Sequence, residues 1–226
     1  MDGIKGRLKE VRLKTPVRTE DLRRLEPGNV VYLDGLIYTG REGVYKKVVD
    51  EGVSPPEGVM ELTNVNFHCS PAAAVRDDGS YNIGAVTATA SFRFAQWMKD
   101  WFEISGARMI IGKGGMSESD YKTLFVPVGA VYLSTVGYGT GALLGRGIKR
   151  VREVHWLEEL GIAQAMWVIE VERFGPLLVD SDVEGNSLFE RHNREINAKL
   201  GRLYEGLKKP SLSRFGETDD RSDELI

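Results

Sequence analysis

The sequence predicts an α/β domain of the β/β/α kind, a mixed sheet flanked by helices. Short apolar, β-branched runs recur along the chain, and amphipathic stretches at helical spacing stand between them. Toward the end of the chain the apolar runs follow one another closely, so βα units in the middle give way to a run of strands.

Taken in order, the basic "IKGRLKEVRLK" (4–14) reads as a solvated strand or arm. Strand character follows in "NVVYLDGLIYTG" (29–40), "GVMELTNVNFHC" (58–69), "GARMIIG" (106–112) and "GAVYLSTVG" (129–137). It continues in "KRVREVHWLEELG" (149–161), "AQAMWVIEVERFG" (163–175) and "PLLVDSDVEGNSL" (176–188). Between them, "FRFAQWMKDWFEIS" sets Phe94, Trp97, Met98, Trp101 and Phe102 at helical spacing, an aromatic stripe that belongs in a core. "SLFERHNREINAKLGRLYEGL" places Leu188, His192, Ile196, Leu200, Leu203 and Leu207 on one side and predicts a long closing helix with His192 packed inside it. Residues 1–207 read as one domain, and the polar, proline-bearing 208–226 as a flexible tail.

The composition restricts function. Thirty Lys+Arg against 33 Asp+Glu give a formal charge of −3, so no global field draws the chain to nucleic acid or an anionic membrane. Any cationic site must be local. No run reaches the ~18 apolar residues of a membrane span, and no signal-peptide block opens the chain, which places it in the cytoplasm. The one cysteine, Cys69, forms no internal disulfide, and with His68, His155 and His192 scattered it builds no closed metal site. Neighbours on a strand face opposite ways, so "HC" at 68–69 reads as a buried thiol beside a hydrogen-bonded histidine.

Three cations share one kind of address. In "IYTGREGVYKKVVDEG" Thr39 and Glu42 spell a T-x-x-E capping box, which puts Arg41 in the first turn of a helix. In "NIGAVTATASFRFAQW" the hydroxyls of Thr87, Thr89 and Ser91 lead to Arg93 at the start of the aromatic helix. In "MIIGKGGMSESDYKTLF" Lys113 stands between a strand and a helix capped by Ser117 or Ser119. A cation at a helix start is disfavoured by about 0.3–1 kcal/mol, so three of them ask for a reason. Loops of this kind gather at one edge of an α/β sheet, where two guanidiniums and an ammonium suit a compound with more than one negative group. A nucleotide phosphate is a poorer fit, because "GKGG" lacks the spaced glycine and the following Ser/Thr of a P-loop.

These segments, with "VHWLEELGIAQAMWVIEVERFGPLLVDSDVEGNSLF", resemble the β subunit, or C-terminal domain, of iron–sulfur hydro-lyases of the class I fumarase and L-tartrate dehydratase type. The likeness covers roughly residues 15–207. It implies a swivelling β/β/α domain that partners an α subunit whose cysteines hold a [4Fe–4S] cluster with one open iron. It further implies that Arg41, Arg93 and Lys113 bind substrate carboxylates and that Thr89 is the base beside a carboxylate, with Thr87 its rival. Where the family usually reads "GRDAAH" this chain has "GREGVY", so Glu42 replaces aspartate and Tyr45 replaces histidine. The expected activity is reversible hydration of fumarate to (S)-malate in a hetero-oligomer. L-tartrate or another hydroxy-dicarboxylate, or a non-catalytic anion-binding assembly module, are the alternatives.

Overall fold

A computed structural model of the chain describes residues 8–137, 140–203 and 205–206. Two units are distinguished, 1–189 and 190–226, and each is taken by itself. The first begins with β1 (Glu10–Lys14), α1 (Thr19–Leu22), β2 (Val30–Thr39) and α2 (Glu42–Tyr45), which runs on as a π-helical turn to Asp50. Next come α3 (Val59–Leu62), β3 (Val65–Phe67), β4 (Cys69–Val75), β5 (Tyr81–Ala88) and a 3₁₀ turn (Ser91–Phe94) leading into α4 (Ala95–Ser105). β6 (Met109–Gly112), α5 (Glu118–Asp120) with a π-helical turn to Phe125, β7 (Val131–Thr135) and α6 (Thr140–Arg146) follow. The chain ends its described course with β8 (Ile148–His155), α7 (Leu157–Leu160), β9 (Met166–Ser181) and α8 (Leu188–Leu203).

The fold is α/β, with a mixed sheet flanked by helices. Seven strands lie in the order β1-β2-β3-β6-β7-β9-β8, and β4 and β5 form a separate antiparallel pair. Because β9 pairs antiparallel with both β2 and β7, the sheet closes on itself. β2, β3, β6 and β7 are parallel neighbours, with Thr39 opposite Phe67, Phe67 opposite Ile111, and Ile111 opposite Leu133. Their C-terminal ends therefore meet at one edge.

Parallel strands covered on both faces read as unbroken apolar runs, as "MII" and "VYL" do here. Successive residues feed two cores. Val65, Phe67, Met109, Ile111, Val131 and Leu133 pack on one face, while Tyr38, Ile110, Tyr132 and Val168 meet the helices on the other. The stripe of α4 is buried against that second face, with Met98 and Trp101 at 0% exposure. Each such side chain contributes about 1.5–3 kcal/mol by leaving water. Gly106 (φ 64) ends α4 in the left-handed conformation that stops a helix.

Several local expectations change. Thr39 does not cap a helix: its buried Oγ1 donates to the Ala165 carbonyl and accepts from the Trp167 N–H, so Arg41 itself is the N-cap. The run 58–69 is not one strand, because Gly58 (φ 77) starts a helical turn and only Val65–Phe67 joins the sheet. Of the hydroxyl-bearing segment that leads to Arg93, Thr87 lies in a strand (β5) paired with β4, while Thr89 and Ser91 follow that strand. The two runs 163–175 and 176–188 merge into β9, with a cis Gly175–Pro176 bond inside it. The run 149–161 leaves the sheet at His155 and ends in α7.

Of the α8 face expected to close a core, Leu188 is buried, Leu200 is half-buried, and Ile196 (55%) and Leu203 (67%) are exposed. His192 is also exposed and lies 3.6 Å from Glu195, so it is not a packed histidine. Leu207 and the tail 208–226 lie outside the described residues. Among the described residues no helix is long and apolar enough to cross a membrane.

Candidate active site

Arg41 follows β2, His68 follows β3 and Lys113 follows β6, so the shared C-terminal edge of the parallel strands brings these positions together. The ladder runs past the strand ends: Gly40 N–H donates to the Phe67 carbonyl (3.2 Å) and His68 N–H to that of Ile111 (2.8 Å). The segment after β5 is laid against the same edge. Thr89 N–H donates to the His68 carbonyl (2.6 Å), Lys113 N–H to the Thr89 carbonyl (3.2 Å), and Ser91 N–H to the Lys113 carbonyl (3.4 Å). Thr89 and Arg93 thus sit on a backbone locked beside Lys113.

Arg41 reaches across to other loops, donating through Nη1 to Ser70 Oγ and, at 3.0 Å, to the Ala163 carbonyl. Burial lowers its pKa, and the nearby positive charge of Arg93 adds to that. The Arg93 guanidinium lies 5.7 Å from the Phe94 ring centroid. Among the described residues, no ion pair involves Arg41, Arg93 or Lys113. Two guanidiniums close enough to feel each other, with the nearby Glu42 carboxylate already paired to Lys46, form a site that a further anion stabilises.

Lys113 also borders a cavity of about 740 Å³, shared with Thr87, Ser134, Thr135 and Thr140. Neither Arg41 nor Arg93 lines it. The two candidate threonines differ: Thr89 is 6% exposed, whereas Thr87 is exposed and faces the cavity.

The Lys113 loop is held from behind. Gly114 (φ 77) and Gly115 (φ 71) take the left-handed conformation, and a Cβ on Gly115 would stand 2.8 Å from Asp180 Oδ2. The fully buried Asp180 accepts from Tyr121 Oη (2.5 Å), Ser187 Oγ (3.1 Å) and the Phe189 N–H (3.1 Å). Tyr121 Oη in turn accepts from the Met116 N–H at 2.8 Å. Ser117 caps α5 in a full capping box with Asp120. The "DSDVEGNSLF" motif is explained here, since Asp182 Oδ1 folds its turn by accepting from the Glu184 and Asn186 N–H groups.

Sequence reasoning singled out the cations and the threonines but missed Asp180, Tyr121, Ser70 and Tyr132. His68 and Cys69 are both buried, as the alternation suggested. His68 is hydrogen-bonded on both ring nitrogens, to Tyr45 Oη and Ser91 Oγ, and Cys69 lies in the apolar core.

The family model described as "Fumarase C-terminus" matches residues 2–192. A putative L(+)-tartrate dehydratase subunit beta of Methanocaldococcus jannaschii is 35% identical, over 81% of this chain and 93% of its own length. The L(+)-tartrate dehydratase subunit beta of Escherichia coli K12 is 30% identical over 80% of this chain and 88% of its own. A putative fumarate hydratase class I of Geobacillus stearothermophilus is 32% identical over 86% of this chain, which spans 36% of that longer protein. With nearly its whole first unit inside that family model, the chain belongs to the fumarase C-terminus family.

Proposed function

We propose that this chain is the β subunit of a hydro-lyase that hydrates fumarate reversibly to (S)-malate, working with a cluster-bearing α subunit. The observation that carries it is the edge where the Thr89–Arg93 segment is hydrogen-bonded along Lys113 while the charge of Arg93 is felt at Arg41. On this reading residues 1–207 act as one swivelling domain that closes the diacid against the α subunit.

A [4Fe–4S] cluster does not fit this chain's own residues. Its one thiol, Cys69, is 1% exposed, and burial raises its pKa, which disfavours the thiolate a cluster needs. The cluster is therefore assigned to the α subunit, where its open iron would act as a Lewis acid on the substrate hydroxyl and carboxylate. The β subunit's share is orientation and charge. Removing a proton from the carbon beside a carboxylate leaves an aci-carboxylate with extra negative charge, and Arg41, Arg93 and Lys113 stabilise that charge more than the substrate's. Thr89 is the proposed proton acceptor. A free hydroxyl is a poor base, so it requires the cationic surroundings that this edge provides.

A second reading, dehydration of L-tartrate, draws on the names of the Methanocaldococcus jannaschii and Escherichia coli relatives. Anaerobic reconstitution with the α subunit, followed by parallel assays on fumarate, (S)-malate and L-tartrate, separates the two. The isolated chain is expected to be inactive and the pair to turn over fumarate and malate. A pair that acts on tartrate alone moves the assignment to the second reading, and a pair inert toward all three defeats both.

A further inference from the structure

Behind the candidate site a chain of buried polar groups joins all three cation-bearing segments. Asn66 Nδ2 donates to Tyr45 Oη (2.7 Å), which meets His68 Nε2 at 2.7 Å. His68 Nδ1 meets Ser91 Oγ at 2.7 Å, and Tyr132 Oη donates to the same oxygen at 2.9 Å. Tyr45 belongs to the helix that starts at Arg41, and Ser91 opens the turn that carries Arg93 while its N–H donates to the Lys113 carbonyl (3.4 Å). His68 is the junction, and its main chain holds the strand of Thr89 as well.

A neutral imidazole has one donor and one acceptor nitrogen, and His68 places both in hydrogen bonds, with Tyr45 Oη and Ser91 Oγ, hydroxyls that can each donate or accept. We infer that His68 is a positioning residue whose neutral imidazole, hydrogen-bonded at both nitrogens, locks the Arg41, Arg93 and Lys113 segments into one register. This rests on the proposed hydro-lyase reading for its catalytic consequence, though not for the network itself. The groups around the ring agree with an uncharged imidazole. They are the phenols of Tyr45 and Tyr132, both with raised pKa through burial, the Cys69 thiol, and the Arg41 guanidinium, whose charge opposes a second proton. Shape makes the junction intolerant: a Cβ on Gly112 would collide with Ser91 Oγ and stand 2.6 Å from Tyr132 Oη.

The test has a structural arm and a catalytic arm. A His155→Gln/His192→Gln variant of the full chain leaves His68 as the one imidazole of the three, so ring ¹⁵N NMR reads it directly. One ring nitrogen is expected at a protonated shift and the other at a non-protonated one, unmoved between about pH 5 and about pH 9. Equal, exchange-averaged shifts at the two nitrogens, or titration within that range, overturn the inference. In the same chain, Tyr45→Phe and Ser91→Ala should each shift the amide resonances of Arg41, Thr89, Arg93 and Lys113 together, and changes confined to the mutated residue's neighbours refute the lock. In the complex with the α subunit, both variants should lower kcat by about 10- to 100-fold with less change in KM, and Ser91→Thr should restore part of it. Unchanged kcat in an active complex rules out the positioning role. An inert parent complex counts against the hydro-lyase reading, and the NMR outcomes then decide the network alone.

Discussion

His68 couples the site to acid stability. Burial first, and the Arg41 charge second, push its pKa down to about 3, against about 6.5 in an unfolded chain. Between those values the unfolded chain takes up a proton that the native chain refuses. The native state therefore has its full stability above about pH 6.5 and loses it as the pH falls toward 3, by at most about 1.4 kcal/mol per pH unit from this group. Asp21, Asp34, Glu42 and Asp78 have lowered pKa values and act in the same direction, but they are exposed or nearly so and contribute little. Urea midpoints taken between about pH 7 and about pH 4.5 should fall steeply for the parent and less steeply for His68→Gln; equal slopes would place the acid sensitivity elsewhere. The two threonines make a second residue-scale prediction. Thr89→Ala should cut kcat of the assembled enzyme by about 100-fold or more, whereas Thr87→Ala, at the cavity wall, should cost less than about 10-fold. The reverse order would make Thr87 the base.

At the scale of elements, the Lys113 loop exists because its neighbours leave room only for hydrogen at Gly115. Gly114→Ala meets open space and carries only the left-handed strain of about 1–2 kcal/mol. Gly115→Ala carries that strain and also crowds Asp180 Oδ2, Phe189 and the Tyr121 hydroxyl, so it should be the more destabilising by about 1 kcal/mol or more. Asp180→Ala should cost about 2–4 kcal/mol, since it leaves the Tyr121 and Ser187 hydroxyls and the Phe189 N–H without their acceptor. Paired denaturant melts rank the three. These elements also show what the sequence made legible. The aromatic period of α4, the apolar runs of β2, β6 and β7 and the Ser117 cap are local signals, and local signals survive into the fold. The strand β5 did not show itself, because "YNIGAVTA" carries a glycine and small residues and gains strand character only by pairing with β4. Thr39 looked like a cap because its spacing to Glu42 is right, yet its hydroxyl serves the distant β9. The Asp180 clamp joins residues far apart in sequence, which no spacing rule could join.

At the scale of the molecule, the question is whether the cationic edge is a place of chemistry or only a place of attachment. Two like charges held near each other, beside a Glu42 carboxylate that is already paired to Lys46, are stabilised further when an anion arrives. A fold that keeps them so, and backs them with buried hydrogen bonds, supports the hydro-lyase reading over a passive assembly module. The two separate cleanly when charge and association are read apart. Lys113 and Arg93 are exposed, so Lys113→Glu and Arg93→Ala disturb no buried packing and should leave co-purification with the α subunit and the iron content of the complex unchanged. Turnover should nevertheless fall by about 100-fold or more for each, because the lost interaction acts on the charge that develops in the reaction. Intact association with undiminished turnover would take both residues out of the machinery. Loss of association together with loss of turnover would make the edge a docking face, with the lost activity a consequence of the lost complex.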